Sequence, residues 1–502
     1  MAKNTAQVKF NVINNAYSID GGVSGVAFVI GETLRGPDFN PEDIITSVSQ
    51  FEKYFGPVND VSDFAALCIQ AIQSGAALRI CRVVADDADS SASGAFSNGT
   101  PEDLFSFTSK ERGAYTNNLK ATVSDASNGD ATMFNLKIED TVTGEVENYA
   151  NLLIPDGSTS PTYLKRVTDF SRLVKVVYEN VATLTGDLRP INGTEVFTGG
   201  LDGAAPTITD FIGSQAARTG FYAFDGYDDA FIIAALGYNE TNLSGIGPTG
   251  AAYVNLRKDL IFLHHLDNAH NTTTTMVAEK NAVASSSKLV GIIGGGKKAI
   301  DPINGGIREY SALGELLGVI VSSHNRNGVW ASPTNRTRGR MDASIGVVNN
   351  FGSPATLADL NILANQGINM VVNKNGINML WDFYSQDPLE SPEKFLTVVL
   401  TQIYLKRALV PAMEGYLTDG NTPDTWREVY YGVKPFLDNL VGPVFQSYSW
   451  NGDQFAKNLD SLSVNDKVEV GQGKYRVKFK AVMTVPMVEF TIDFIMETDS
   501  SN

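Results

Sequence analysis

The sequence predicts a multidomain protein with α/β and α+β parts, on the strength of its length and of two hydrophobic patterns. With 502 residues, the chain is long enough for about three domains. In residues 197–370, apolar strand-like segments alternate with polar, helix-compatible segments, which is typical of a mainly parallel sheet covered by helices. Near the C-terminus, apolar and charged residues alternate with a period of two, which is typical of half-buried strands.

Composition and charge narrow the class of protein. Hydrophobic residues make up 43% of the chain and charged residues 19%, as in ordinary folded proteins. The net charge of −17 argues against a surface that wraps nucleic acid, because such surfaces need clustered Lys and Arg. No apolar signal region opens the sequence, and we expect no membrane span because no apolar run approaches about 20 residues. Cys68 and Cys81 lie in apolar segments and are expected to be buried thiols.

The N-terminal part of the chain predicts three segments. Residues 1–22 form an arm that contains one short alternating strand and ends at a pair of glycines. Residues 23–101 form a small α/β unit, in which apolar strands flank a helix. Residues 102–196 are rich in Thr and Asn and only weakly apolar, so we expect a protruding β-rich insert there.

The C-terminal part predicts an α/β domain over residues 197–370 and a further domain over residues 371–502. In residues 371–502, Ser391-Pro392 and Thr422-Pro423 each have the pattern of a helix cap followed by the first helical residue, and strands end the domain. The apolar strands expected in residues 197–370 are Gly220–Phe224, Asp259–Leu263, Leu289–Ile293 and Leu317–Val321.

The two terminal strands carry opposite charges. Between residues 474 and 481, basic residues alternate with apolar ones, and between residues 488 and 496 the alternating polar positions are mostly acidic. If the two strands pair, each cross-strand pair of opposite charges contributes about 0.2–1 kcal/mol. A strand near a chain terminus is often a sheet edge. It therefore either closes a hairpin within its own domain or pairs with a neighbouring subunit.

A glycine-rich segment at Gly291–Lys297 matches the spacing of a phosphate-binding loop. Lys298 follows, where such a loop needs a Ser or Thr hydroxyl for magnesium, and turn residues come next instead of a helix. Without a helix, the loop lacks the N-terminal dipole that binds phosphate. The sequence therefore favours a glycine turn, and a nucleotide-binding enzyme stays as the alternative.

The other candidate sites are weaker. His264 and His270 lie near Asp267, but no Cys pair or HExxH motif supports a metal site. Asp225, His264 and the serines at 285–287 lack the motif of a serine hydrolase. We therefore predict no catalytic, cofactor-binding or metal-binding residues. Residues 335–340 contain three arginines, which are either a solvated loop or a contact with an acidic partner surface.

Several ordered motifs resemble those of the tail sheath proteins of contractile phage tails and related contractile injection systems. The most specific is the loop Gly328–Asn335, which is similar to the family's Gly-Val-Trp-x-x-Pro-Ala-Asn loop. Near residue 292 the chain departs from the family, because the glycine turn replaces a frequent Pro-Trp. The other matching segments are Gly25–Pro37, Ile45–Gly56, Gly113 with Tyr115 and Asn118, and Gly199–Gly203 with Asp210.

The resemblance implies a structural role and not an enzyme. It implies a subtilisin-like α/β middle domain without a catalytic triad, and a helical sheath around a tube whose contraction drives the tube through a cell envelope. Expected partners are further copies of the chain, a tail tube protein, and baseplate and tail terminator proteins, with no cofactor. No direct nucleic-acid or membrane contact is expected. The resemblance also implies exchanged terminal strands, for which this chain offers Val8, Phe10, Val12, Tyr475, Val477, Phe479, Val488, Phe490, Ile492 and Phe494.

Overall fold

A computed structural model describes most of the chain as two compact units. The larger unit comprises Ser24–Arg326 and Pro333–Pro388, and the smaller unit takes Asn327–Ser332 and the chain from Leu389. The described residues are 25–59, 62–98, 103–154, 162–179, 188–270, 272–348, 357–450, 470, 472–475, 477 and 479–487.

The larger unit begins with three strands and two helices. A continuous apolar run forms the first strand, as expected for a strand that is buried on both faces of a sheet. The first helix is capped by the side chain of Ser47, which accepts from the backbone of Gln50. These elements are β1 (Val26–Gly31), β2 (Ile44–Ile45), α1 (Val48–Phe55), α2 (Phe64–Gln73) and β3 (Ala77–Arg82).

An antiparallel sheet follows as an insert with its own core. Its buried side chains come from alternate strand positions, as in Phe134–Asp140, where every second residue is buried. The spatial strand order is β10-β6-β4-β11-β7-β8-β9, and β5 pairs with β6. The elements are β4 (Ala92–Ser93), β5 (Phe96–Ser97), β6 (Asp103–Ser109), β7 (Leu119–Asp125), β8 (Phe134–Asp140), β9 (Val146–Leu152), α3 (Lys165–Phe170), β10 (Val174–Tyr178) and β11 (Gly193–Thr198).

The chain then returns to the first sheet and completes it. The sheet has eight strands in the order β19-β18-β14-β13-β12-β1-β3-β2, and β16, β15 and β17 form a separate three-stranded sheet. The remaining elements of the larger unit are α4 (Ile208–Ile212), β12 (Ala230–Ala234), α5 (Ile246–Arg257), β13 (Ile261–His265), α6 (Thr273–Ala282), β14 (Val290–Gly294), β15 (Gly296–Ile300), β16 (Ile307–Ser311), α7 (Leu313–Asn327), α8 (Asn335–Arg338), β17 (Gly346–Val348), α9 (Leu357–Asn365), β18 (Ile368–Lys374) and β19 (Ile377–Leu380).

The smaller unit packs two helices and a two-stranded sheet. These are α10 (Leu396–Glu414), α11 (Pro423–Leu440), β20 (Phe445–Trp450) and β21 (Phe479–Met483). Thr422 caps α11 through the backbone of Thr425, which confirms the helix predicted at Thr422-Pro423. Among the described residues, α10 is long and apolar enough to cross a membrane, but 61% of its most apolar stretch is buried within the protein. Core helices have the same length and composition.

The eight-stranded sheet joins segments that the sequence pattern assigns to different domains. Strands β1, β2 and β3 come from residues 23–101, whereas β12, β13 and β14 come from residues 197–370. Strand β18 runs past residue 370, and the smaller unit takes up the chain only at Leu389. The structure therefore differs from the predicted division. The reason is that β1 pairs with β12 across the whole insert, a long-range contact that no local pattern reveals.

Two predicted strands are wrong because they are helical. Gly220–Phe224 forms a 3-10 helix, and β12 follows it along the chain. Leu317–Val321 lies inside α7, of whose fifteen residues ten are buried. A helix that is buried on nearly all sides loses the polar stripe that would show its period, so a short apolar run cannot be told from a strand.

Buried charged side chains fix the insert to the eight-stranded sheet. Arg35, which follows β1, donates to Asp140 of the insert at 3.0 Å, and the two side chains are 3% and 1% exposed. Glu111 of the insert accepts from the backbone of Gly36 at 3.0 Å and from Arg172 at 3.0 Å. Removing either partner of such a pair leaves a buried charge uncompensated. These contacts therefore hold the sheet of the insert and the eight-stranded sheet together.

Candidate functional site

The carboxyl edge of the eight-stranded sheet is the place where an α/β enzyme would bind its ligand. The chain runs from β1 outwards to β3 and later to β12 on the other side of β1. Such a reversal of direction opens a crevice beyond the strand ends in doubly wound folds. The side chains at this edge therefore show whether the crevice has room for a ligand.

Side chains of the protein itself fill this crevice. The hydroxyl of Tyr238 accepts from the backbone N–H of Glu32 at 3.2 Å, directly after β1, and burial raises the pKa of Tyr238. The Tyr238 ring packs edge-on against Phe211 with centroids 4.7 Å apart. Phe64 covers the end of β1 so closely that a Cβ on Gly31 would lie 2.3 Å from its ring. The crevice is closed by aromatic packing at its centre.

The glycine segment Gly291–Lys297 is a turn between two strands. Gly295 has φ +88 and joins β14 to β15, so a strand follows where a phosphate-binding loop needs a helix. The Lys297 ammonium group is fully buried and donates to Glu315 at 2.7 Å. Burial lowers the pKa of Lys297, and Glu315 also accepts from the backbone of Ala343 at 2.8 Å. The lysine therefore ties β15 to α7 and cannot reach a phosphate.

The histidines do not assemble into a metal site. His264 and His265 are buried at the end of β13, where burial lowers their pKa values to about 3 and about 4. His270 lies apart from them and contacts Glu279 at 2.6 Å. Across the described residues, no three His, Cys, Asp or Glu side chains are grouped in a way that could hold a metal ion.

The residues considered for a serine hydrolase are engaged elsewhere. The Asp225 carboxylate accepts from the hydroxyl of Tyr253 at 3.1 Å. The Ser287 hydroxyl donates to Asn255 at 2.6 Å. Both nitrogens of His264 are buried without a hydrogen-bond partner in the described part of the chain. The structure therefore does not bring these residues together as a triad.

The hairpin of β20 and β21 differs from the filled crevice, because both of its strands have an unpaired edge in the described residues. The two strands pair in antiparallel register, with Trp450 opposite Phe479 and Ser449 opposite Lys480. In the described residues each strand has this one partner, so one edge of each strand carries backbone groups without a ladder. An isolated two-stranded hairpin is marginally stable at best, and a third strand or packing against a helix is needed for independent stability.

Aromatic side chains give this hairpin one apolar face. Phe479 packs against Phe445, Tyr448 and Trp450 with ring centroids 6.0–6.3 Å apart. Tyr430 of α11 contacts Trp450 from the other side at 6.4 Å. The opposite face carries polar residues such as Lys480, which is exposed. The hairpin is thus anchored on α11 through one face, and no further strand pairs with it in the part of the chain that the structure describes.

Solved structures of contractile sheath proteins share this architecture. No family model matches the sequence, and no curated protein matches it significantly. The sheath tail protein of Listeria innocua superposes with a TM-score of 0.59 at 11% identity, covering 92% of this chain and 95% of that one. The contracted helical sheath of the anti-feeding prophage gives 0.56 at 11% identity over 99% and 100% of the two chains. A baseplate structure of the same particle gives 0.54 at 11% identity over 99% and 100%.

This chain has the fold of contractile tail sheath proteins. The sheath fold extends over nearly the full length of both chains in these comparisons, so the resemblance is not confined to one domain. At such low identity the likeness concerns the fold. The mixed α/β architecture that the sequence predicts is confirmed by the two units and their sheets.

Within the sheath fold, the predicted strand residues have different places. Phe479 lies in β21, which begins later than the predicted strand and pairs with β20. Tyr475 precedes the strand and stacks on Trp426 of α11 with ring centroids 5.4 Å apart, and Val477 also lies outside the strand. Tyr475 therefore anchors the chain on a helix. The residues that lie outside the described part of the chain are Val8, Phe10, Val12, Val488, Phe490, Ile492 and Phe494.

Strand β20, the partner of β21, was missed by sequence reasoning. Its aromatic residues Phe445, Tyr448 and Trp450 do not keep a period of two, so the strand lacks the usual alternation. The register also shifts between Phe445 and Ser447, which accounts for the broken pattern. The usable signal was the density of aromatic residues directly after α11.

Proposed function

We propose that this chain is the structural subunit of a contractile tail sheath, which polymerises as a helix around an inner tube and shortens to drive the tube through a target cell envelope. The observation that carries the proposal is the open hairpin of β20 and β21. It sits in a chain whose fold matches sheath proteins from end to end. An exposed sheet edge can accept a strand from another copy, and we propose that this happens here.

Two segments of the chain supply those strands. The N-terminal arm around Val8–Val12 and the C-terminal segment Val488–Met496 both alternate between apolar and polar residues, as a half-buried strand requires. Main-chain ladders formed by these arms would tether neighbouring copies. The tethers would hold while the domains between them change their packing.

Contraction in this proposal is a switch between two packings of the assembled subunits, with the contracted packing lower in free energy. It needs no nucleotide and no cofactor, which is consistent with the filled crevice at Tyr238 and the buried Lys297. The middle α/β domain is proposed to be a subtilisin-like fold without a catalytic triad. The proposed arms are residues 1–22 and the C-terminal strand.

The proposed partners are further copies of the chain, a tail tube protein, and baseplate and tail terminator proteins. We assign no direct contact with nucleic acid or a membrane. The chain would act in a virion tail after assembly in the cytoplasm of a bacterial host. Support for the baseplate comes from the anti-feeding prophage, whose baseplate structure contains a chain of the same fold.

Removing residues 487–502 tests the proposal. We expect the shortened chain to fold, because every described helix and strand, the last of which is β21 (Phe479–Met483), lies before this point, and to form no tubes by negative-stain electron microscopy. A matched control lacks only residues 498–502 and keeps the proposed strand Val488–Met496, so it should assemble like the full chain. Normal tubes from the shorter variant would contradict the proposal.

The alternative function is a nucleotide-binding α/β enzyme. A ligand that binds the folded state at about 100 times its Kd raises the free energy of unfolding by roughly 2.7 kcal/mol. We expect no such stabilisation of the purified full chain by ATP or GTP with magnesium in a thermal unfolding experiment. A rise in Tm that depends on nucleotide concentration would favour the alternative function, a nucleotide-binding enzyme.

A further inference from the structure

The two edges of the eight-stranded sheet carry opposite unpaired charges. At one edge, helix α8 lies beside β19, and the backbone N–H of Leu380 donates to the carbonyl of Gly339 at 2.9 Å. Arg336 is exposed and Arg338 is partly exposed, and neither guanidinium makes an ion pair with any residue that the structure describes. Arg340 pairs with Asp342 and is therefore already neutralised.

The other edge of the same sheet is acidic. Glu42 and Asp43 directly precede β2 and are both exposed, and neither makes an ion pair in the described part of the chain. The nearest arginine on the adjoining strand, Arg79, pairs with Asp229 at 2.7 Å. Its guanidinium also donates to the backbone carbonyls of Pro41 and Glu42, and it makes no ion pair with the Glu42 carboxylate. The carboxylates of Glu42 and Asp43 thus face solvent uncompensated.

These charges cannot neutralise each other within one molecule. Strands β19 and β2 are the first and last of eight, so seven strand spacings of about 4.8 Å put the edges roughly 34 Å apart. The Debye length is about 10 Å at 0.1 M salt, so the two patches are screened from each other. A sheet with a basic edge and an acidic edge is complementary to a second copy of itself in a head-to-tail arrangement.

We propose that Arg336 and Arg338 of one copy contact Glu42 and Asp43 of the next copy, joining the β19 edge of one sheet to the β2 edge of another. The contact is heterologous, and repetition of such a contact builds a ring or an open helix. It rests on the proposed function, because it requires copies to assemble. It also explains how subunits of net charge −17 approach each other, since the contact is a local attraction within the overall repulsion.

Charge reversal tests the contact. The basic-edge variant carries Arg336→Glu with Arg338→Glu, and the acidic-edge variant carries Glu42→Lys with Asp43→Lys, both in the full chain. A control, Lys120→Glu with Lys175→Glu, changes the net charge as much as the basic-edge variant does. Its two lysines are exposed on the insert. The measurement is the sedimented fraction against protein concentration at 0.1 M salt, with electron microscopy of the pellet.

Each edge variant alone should need a protein concentration about tenfold higher or more for half sedimentation, because like charges then face each other. A mixture of the two edge variants should return to the wild-type concentration. In the mixture an all-acidic copy alternates with an all-basic one. The control should assemble like the wild type.

The outcomes separate this contact from the proposed function. A wild-type chain that never sediments overturns both. If the wild type assembles and the edge variants assemble equally well, only the edge contact is overturned. The charges would then serve to prevent unwanted strand pairing at the sheet edges. Failure of the mixture to restore assembly likewise overturns the contact, because the variants then fail for a reason other than opposite charge.

Discussion

The carboxyl edge of the eight-stranded sheet and the C-terminal hairpin differ in whether their polar groups have partners. At the sheet edge, the N–H of Glu32 is satisfied by Tyr238, and the charge of Lys297 is satisfied by Glu315. At the hairpin, one edge of β20 and one of β21 have no ladder partner in the described residues. The filled crevice leaves no room for a ligand at its centre, whereas an unpaired strand edge can accept another strand. This difference is what supports the proposal that the molecule acts as a subunit of an assembly.

The comparison also shows why fold alone is a poor guide to activity. A doubly wound sheet with a strand-order reversal is the framework of many enzymes. Here aromatic side chains occupy the space in which a ligand would lie.

Lys297→Ala should have the largest effect, lowering the free energy of unfolding of the larger unit by about 3–5 kcal/mol. The variant leaves the Glu315 carboxylate buried at 1% exposure without its cation. Chemical denaturation followed by circular dichroism measures the loss. The neighbouring Lys298→Ala is the control, because Lys298 is 45% exposed and lies 3.6 Å from an exposed Glu309. Equal effects of the two variants would refute the buried pair as a stabilising closure.

Acid should destabilise the protein below pH 6.5. His264, His265 and His324 are buried, and burial lowers their pKa values to about 3, 4 and 4. In the unfolded chain they regain a pKa of about 6.5 and bind protons that the folded state excludes. Their contribution is therefore complete above pH 6.5 and is lost as the pH falls. Each histidine should cost roughly 1–2 kcal/mol at pH 5.

Denaturation at pH 7.5 and pH 5 tests this expectation. His264→Phe should reduce the difference between the two pH values, because Phe does not bind a proton. His270→Gln serves as the control, since His270 lies at the surface beside Glu279 at 28% exposure. Identical pH dependence of His264→Phe and the wild type would show that the buried ring does not control acid stability.

Tyr238→Phe should lower the free energy of unfolding by about 1 kcal/mol, because it removes the hydroxyl that accepts from Glu32 in the closed crevice. Tyr431→Phe is the control, since Tyr431 is 64% exposed. The measurement is again the denaturation midpoint. A neutral Tyr238→Phe variant would mean that the hydrogen bond at the sheet edge contributes little, and that packing alone fills the crevice.

Lys478→Glu with Lys480→Glu should have the smallest effect per contact, about 0.2–1 kcal/mol for each cross-strand pair. The change sets acidic residues of this segment against the acidic row at residues 488–496. It should raise the protein concentration needed for assembly in a sedimentation experiment. The insert variant Lys120→Glu with Lys175→Glu is the matched control. Unimpaired assembly would contradict the pairing of the basic row with the acidic row, but it would not contradict strand addition at the unpaired edges.

Part of the fold was predictable because its signals are local. The cap at Thr422 lies within one helical turn of the group it binds, and it marks an observed helix start. The glycine turn at Gly295 was also readable, since glycine there meets a positive φ. By contrast, Leu317–Val321 was misread as a strand, because burial on all sides hides the helical period.

The candidate site was less predictable than the fold. Sequence reasoning found Phe479 but placed its strand too early, and it missed the partner strand β20, whose register shift breaks the alternation. The filled crevice was not foreseen, since Tyr238 and Glu32 are separated by 206 residues along the chain. Contacts of that range depend on which strands become neighbours.

The sequence by itself determined the element types with strong caps or clear periods, the acidic balance of −17 and the absence of a helix after the glycine turn. The caps, periods and turns are set by residues within about one turn of each other, and the net charge is a sum over the chain that does not depend on the fold. Only the tertiary structure decided that Lys297 meets Glu315, that aromatic rings close the sheet, and that Arg336 and Glu42 stand at opposite edges. Strand order determines these three facts, because a sheet edge exists only once distant segments have paired.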